Sequence, residues 1–108
     1  MEKDPAKLHH RLLKVGTEAA RARARHSTLE RLRKQIRASE MVKYINLGNT
    51  VGKSEQLALL EPEYIEICEK CEAAEEEAGV AQVEYQSAQA YIEVWRTLEA
   101  TKRAEMRL

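Results

Sequence analysis

YIEICEKCEAAEEEAGVAQVEYQSAQAYIEVW, residues 64–95, is the stretch that decides the fold of this chain. Apolar or small residues recur along it at alternating steps of three and four, which places them on one seam of a helix. The seam consists of Tyr64, Ile67, Cys71, Ala74, Ala78, Ala81, Tyr85, Ala88, Ile92 and Trp95. A second seam, earlier in the chain, consists of Leu8, Leu12, Val15, Ala19, Ala22, His26 and Leu29. The pattern predicts two long amphipathic helices.

Local signals set the ends of these helices. Asp4-Pro5 is typical of a helix start, because Asp caps the first turn and Pro is tolerated at the first helical position. Gly48-Asn49 is expected to end any helix that precedes it. Thr50 is a second candidate N-cap, and Pro62 disfavours helical conformation at the residue before it. These signals predict a helix over about 5–40, a connector over 41–61 with a short helix at about 51–60, and a helix over about 62–106.

The fold class follows from two seams joined by a connector that contains glycine. The sequence predicts an all-α fold, a single domain over 1–108 built as an antiparallel, coiled-coil-like hairpin of two helices with a short helix in the connector. Facing residues should have numbers that add up to about 103. Leu8 should then approach Trp95, and Arg33 should lie near Cys71 with Glu69 or Glu72 within reach.

Composition restricts the class of protein. Of the 108 residues 33% are charged and 5% aromatic, and Phe is absent, so a thin core of small side chains between helices is expected. No apolar run is long enough for a bilayer, and residues 1–10 lack the apolar region of a secretory signal. We therefore expect a cytoplasmic protein without membrane contact, whose two cysteines are free thiols.

Charge is distributed unevenly along the chain. Residues 1–47 contain twelve Lys/Arg and five Asp/Glu, whereas residues 48–108 contain six and thirteen. In an antiparallel hairpin the basic end of the first helix would lie beside the glutamates of 61–77, which favours neutralisation within the chain. The alternative is a basic helix that contacts nucleic acid. Its candidate residues are Arg21, Arg23, Arg25 and Arg31, although successive members of the run 21–25 point in different directions.

The last helix has more apolar surface than one partner helix can cover. Val80, Val83, Val94 and Leu98 lie off the seam, and Tyr91 broadens this second stripe. Because a 108-residue hairpin has no further long helix, self-association is the simplest way to bury it. We therefore predict a homodimer, and these five residues are the candidate interface with a second copy or another protein.

Three motifs suggest chemistry, but each fits a simpler structural explanation. GNTVGKS, residues 48–54, has three residues between its glycines, whereas a phosphate-binding loop needs four and a preceding strand. Cys68 and Cys71 lack further metal ligands nearby, and His26 suits a polar position in the seam. We predict no catalytic residue, no metal site, no cofactor and no enzymatic activity.

The second half of the chain resembles small helical proteins encoded by bacteriophages and prophages. The similarity is carried by TVGKSEQLAL at 50–59, EPEY at 61–64 and IEVWRTLEATKRAEMRL at 92–108. Such proteins often lie near recombination genes and generally have no assigned role. The resemblance implies a bacterial host cell, and we expect a protein that acts by protein–protein interaction through self-associating helices. The alternatives are a recombination accessory that contacts single-stranded DNA and an inhibitor of a host defence complex.

Overall fold

The structure, a computed structural model, describes residues 4–107 and is all-helical over this range, as predicted. Three helices follow one another along the chain: α1 (Pro5–Asn46), α2 (Val51–Leu59) and α3 (Pro62–Met106). Thr50 caps α2, since its hydroxyl accepts a hydrogen bond from the Lys53 amide at 3.3 Å. The bounds of α2 and α3 lie within one residue of the predicted ones.

The predicted end of α1 is wrong. The helix continues through 41–46, which the sequence analysis assigned to the connector, and ends at Asn46. Gly48 ends it with a φ of 97°, a left-handed conformation that glycine adopts readily. The backbone and side-chain amides of Asn49 both donate to the Tyr44 carbonyl, at 3.2 and 3.0 Å. Exposed β-branched residues such as Val42 made this stretch look non-helical, but they lie on the outer surface of the helix.

The described chain comprises two compact units. The first unit contains residues 4–21 and 79–107, and the second unit contains Ala22–Ala78. In both units α1 runs antiparallel to α3, as the hairpin prediction requires. The prediction of a single domain over 1–108 stays a prediction.

Small side chains bring α1 and α3 together in the first unit. Ala19 and Ala88 are buried, and Gly16 lies so close to Tyr85 that a Cβ at position 16 would be 3.0 Å from the Tyr85 Cε1. Leu8 and Trp95 line the same groove, so their predicted proximity is confirmed. This contact sets the register between α1 and α3 in the first unit, that is, which residue of α3 lies beside each residue of α1.

The core of the second unit is equally thin. Its most buried apolar side chains come from all three helices, and Ile67 is the largest of them. The others are Ala22, Ala58, Cys71 and Ala74. Leu60 caps the end of α2, and α3 begins at Pro62, the residue from which the sequence predicted the last helix.

A buried hydroxyl in the second unit lacks a hydrogen-bond partner. The Ser54 side chain is fully buried on α2, and its hydroxyl has no hydrogen-bond partner. We expect Ser54→Ala to raise the free energy of unfolding by about 1–2 kcal/mol, because it removes an unpaired buried hydroxyl and improves helix propensity. Urea unfolding measures this gain. Ser27→Ala, at an exposed helical position, should gain only about 0.5 kcal/mol from propensity; an equal gain in both variants would contradict the explanation.

Candidate interaction surfaces

A row of exposed apolar side chains lies on α3 in the first unit. Val80, Val83, Val94 and Leu98 are each between 52% and 61% exposed, and Tyr91 is half-buried. We call these five residues the outer stripe. They are the predicted interface residues, and the structure places them on one side of a single helix.

The outer stripe and the buried seam point in different directions. At 3.6 residues per turn, the centre of the stripe lies about 120° around α3 from the seam that α1 covers. The stripe also repeats every eleven residues, since Val80 and Val83 are followed by Tyr91 and Val94. An eleven-residue step is three turns plus about 20°, and Val80 and Leu98, eighteen residues apart, are separated by five full turns. The stripe therefore runs nearly straight along the helix and offers a row for another helix.

A hollow of about 450 Å³ lies beside the stripe, between α1 and α3 of the first unit. Its lining is an apolar floor with basic and hydroxyl-bearing residues around it: Lys7, Leu8, Arg11, Ser87, Ala88, Tyr91 and Ile92. Sequence reasoning missed the basic side of this hollow. The signal was the spacing of Lys7, Arg11 and Lys14, which recur at steps of four and three and share one side of α1.

The four candidate nucleic-acid residues are divided between the units. Arg21 belongs to the first unit, and Arg23, Arg25 and Arg31 belong to the second, and all four are exposed. Arg25 Nη1 lies 2.5 Å from Glu77 Oε1, and this hydrogen bond raises the pKa of the guanidinium. One of the four charges is therefore already paired with a glutamate of α3.

Other pairs in the second unit follow the same pattern. Arg37 pairs with Glu55, and the Tyr44 hydroxyl donates to Glu61, which also lies 4.0 Å from Lys43. Basic α1 thus meets acidic residues of α2, of the turn before α3 and of α3 itself. These contacts agree with neutralisation within the chain.

Arg33 departs from its predicted partners. It lies near Cys71 as expected, but its ion pair is with Glu30 on its own helix at 2.6 Å, because Glu69 and Glu72 are exposed on the outside of α3. The hydrogen bond from Arg33 lowers the pKa of Glu30, and burial raises the pKa of the Cys71 thiol.

The motifs considered for chemistry have structural roles here. In GNTVGKS, Gly48 ends α1, Thr50 caps α2 and Ser54 is buried, so the segment is helical from Val51 and does not form a glycine-rich loop. Cys68 and Cys71 are free thiols, and residues 4–107 contain no group of three or more side chains placed to hold a metal. Over the same range, none of the helices is both long and apolar enough to cross a bilayer.

Comparison with known proteins adds no family to this description. No protein-family model matches the chain, and neither the curated proteins nor the solved structures include a significant match. A functional proposal must therefore be based on the surfaces described above.

Proposed function

We propose that this is a non-enzymatic helical protein that self-associates and acts by protein–protein contact through the outer stripe of α3. The observation that carries the proposal is the exposure of four large aliphatic side chains in one straight row. An isolated exposed Val or Leu needs no explanation, but a contiguous row marks an interaction surface. From the resemblance of residues 50–108 to phage proteins we further propose, independently of these surfaces, a role inside an infected bacterial cell.

The size of the stripe sets the expected strength of association. Burying a side chain that is about half exposed contributes about 1 kcal/mol, so four from each of two copies contribute about 8 kcal/mol. This gain is of the same order as the entropic cost of association. Contacts around the stripe must therefore supply most of the net free energy of association, and we expect a weak dimer.

The proposal is tested by placing charge on the stripe. We expect Val83→Glu/Leu98→Glu to convert a dimer into a folded monomer, because two carboxylates per copy would have to be desolvated in the interface. Sedimentation velocity at about 50 μM, a concentration suited to a weak bundle, measures the change, and circular dichroism checks that the variant stays helical.

A matched control uses the same helix and the same added charge. Gln89→Glu/Ala100→Glu places the carboxylates at exposed positions on another side of α3 and should leave the dimer intact. Equal dissociation in both variants, or none in either, would count against the outer stripe as the interface.

A second candidate function is contact with single-stranded DNA, which the exposure of Arg21, Arg23 and Arg31 keeps open. Because intramolecular pairs such as Arg25–Glu77 reduce the positive potential, we expect no binding to a labelled 40-nucleotide strand at physiological salt in fluorescence anisotropy. Replacing the four arginines with glutamine should then have only a small effect on thermal stability.

The opposite result would favour DNA. Submicromolar binding that weakens steeply with salt, by a slope of about −0.7 for each phosphate contacted, and that disappears in the four-fold glutamine variant would replace self-association as the leading function.

A further inference from the structure

The positions of the outer stripe are spaced nearly symmetrically about Gln89 in the sequence. Val80 and Leu98 lie equally far from Gln89, nine residues on either side, and Val83 and Val94 lie six and five residues from it. Between them, Ser87 and Tyr91 lie two residues on either side of Gln89. The outer positions are therefore aliphatic at both ends, and the central pair combines a small residue with a large one.

This symmetry distinguishes the two ways in which identical helices can pair. In a parallel pair each residue faces the equivalent residue of the second copy, so Tyr91 faces Tyr91 and Ser87 faces Ser87. In an antiparallel pair about Gln89 each residue meets its counterpart, as a two-fold axis requires. Tyr91 of one copy then faces Ser87 of the other, and aliphatic side chains face each other at both ends.

The hollow supplies space for this tyrosine. Ser87 and Ala88 line the hollow. In the antiparallel pair Tyr91 of the second copy faces Ser87, so it comes opposite the hollow. Leu8 and Ile92 provide an apolar floor for the ring, and Lys7 and Arg11 can donate hydrogen bonds to its hydroxyl or contact its face.

Charge favours the same orientation. Gly16 lies against Tyr85, so Lys7, nine residues earlier on the antiparallel α1, lies level with Val94. With the two-fold axis at Gln89, Val94 is level with Glu84 of the second copy. The exposed Glu84 thus comes beside Lys7, and symmetry makes this pair twice. In a parallel pair Val94 is level with Val94 of the second copy. Glu84 of that copy then lies ten residues away along the helix, about 15 Å at 1.5 Å per residue, and does not come beside Lys7.

We propose that two copies pair through their α3 helices in antiparallel orientation, with the two-fold axis at the height of Gln89 along the helix. Tyr91 of each copy is then seated in the hollow of the other, and Lys7 lies beside Glu84 across the interface. This inference rests on the proposed function and specifies the partner as a second copy in one register. It joins the outer stripe and the hollow into one interaction surface of the first unit.

Disulfide cross-linking tests the register. In a Cys68→Ser/Cys71→Ala background, Val80→Cys/Leu98→Cys should give a covalent dimer under mild oxidation, because positions 80 and 98 of opposite copies face each other. Val80→Cys alone should give none, since two residues 80 would be about 27 Å apart at 1.5 Å per residue, too far for a disulfide. Non-reducing gels and sedimentation velocity record both outcomes.

A charge exchange tests the same register with the native cysteines present. Lys7→Glu and Glu84→Lys should each weaken the dimer about five-fold by setting like charges together at two symmetric places, and the double variant should restore the affinity. Lys14→Glu on the same side of α1 is the control and should not be rescued by Glu84→Lys.

The outcomes separate the inference from the proposed function. Two results would overturn the antiparallel register and leave self-association standing. One is cross-linking of Val80→Cys alone. The other is a dimer in which the double cysteine variant does not cross-link and the charge exchange does not restore the affinity. A wild-type chain that sediments as a monomer would overturn both.

Discussion

We expect Ile67→Ala to lower the free energy of unfolding by about 3 kcal/mol, because it removes the largest apolar side chain from the core of the second unit. Ile67 is only 4% exposed, and its buried neighbours in this unit are mostly alanine. Side chains that small cannot move in to fill the space. Urea unfolding followed by circular dichroism, at one fixed protein concentration because association adds to stability, gives the value.

Ile65 provides the matched control. It is two residues away on the same helix and carries the same side chain, but it is 46% exposed. Ile65→Ala should cost less than about 1 kcal/mol. Losses of the same size at both positions would show that the seam assigned to α3 is not the buried one.

The second large effect should come from Gly16→Leu, which we expect to destabilise the protein by about 2–3 kcal/mol through overpacking. The first carbon of the new side chain would already lie 3.0 Å from the Tyr85 ring, and the remainder would occupy the space of the ring. Helix propensity opposes this loss by only about 1 kcal/mol. Thermal unfolding and urea unfolding should agree on the sign.

Gly79 provides the matched control for Gly16. It is also a glycine inside a long helix, but a Cβ there would have no atom within 4 Å. Gly79→Leu should therefore stabilise the protein by up to about 1 kcal/mol through propensity alone. A stabilising Gly16→Leu would mean that α1 and α3 do not approach closely at Tyr85.

The fold could be predicted from periodicity because it depends on local signals. Ile67, Cys71 and Ala74 occupy seam positions and are buried, and Leu8 lies near Trp95 as expected. The end of α1 could not be predicted in this way. Val42 and its neighbours interrupt the apolar period, so periodicity predicted an end near residue 40. The helix instead continues to the break indicated by Gly48-Asn49, where Gly48 has a positive φ and the Asn49 amide donates to the Tyr44 carbonyl.

The candidate surface was partly visible in the sequence. Val80, Val83, Val94 and Leu98 could be selected because they lie off the seam, and they are exposed in the structure. Their role as an interface stays a prediction. The hollow was not visible, because it depends on which side chains of α1 and α3 lie beside each other. Ion-pair partners were also difficult to predict, since Arg33 can reach a glutamate on its own helix as easily as one on α3.

The most direct test of the central claim is the mass of the wild-type chain in solution. Sedimentation equilibrium at tens of micromolar, the range expected for a weak bundle, should give twice the 12.4 kDa mass of one chain. The dimer should dissociate on dilution and should persist when salt is raised, because aliphatic side chains provide most of its stability. A mass of one chain throughout this range would contradict self-association through the outer stripe.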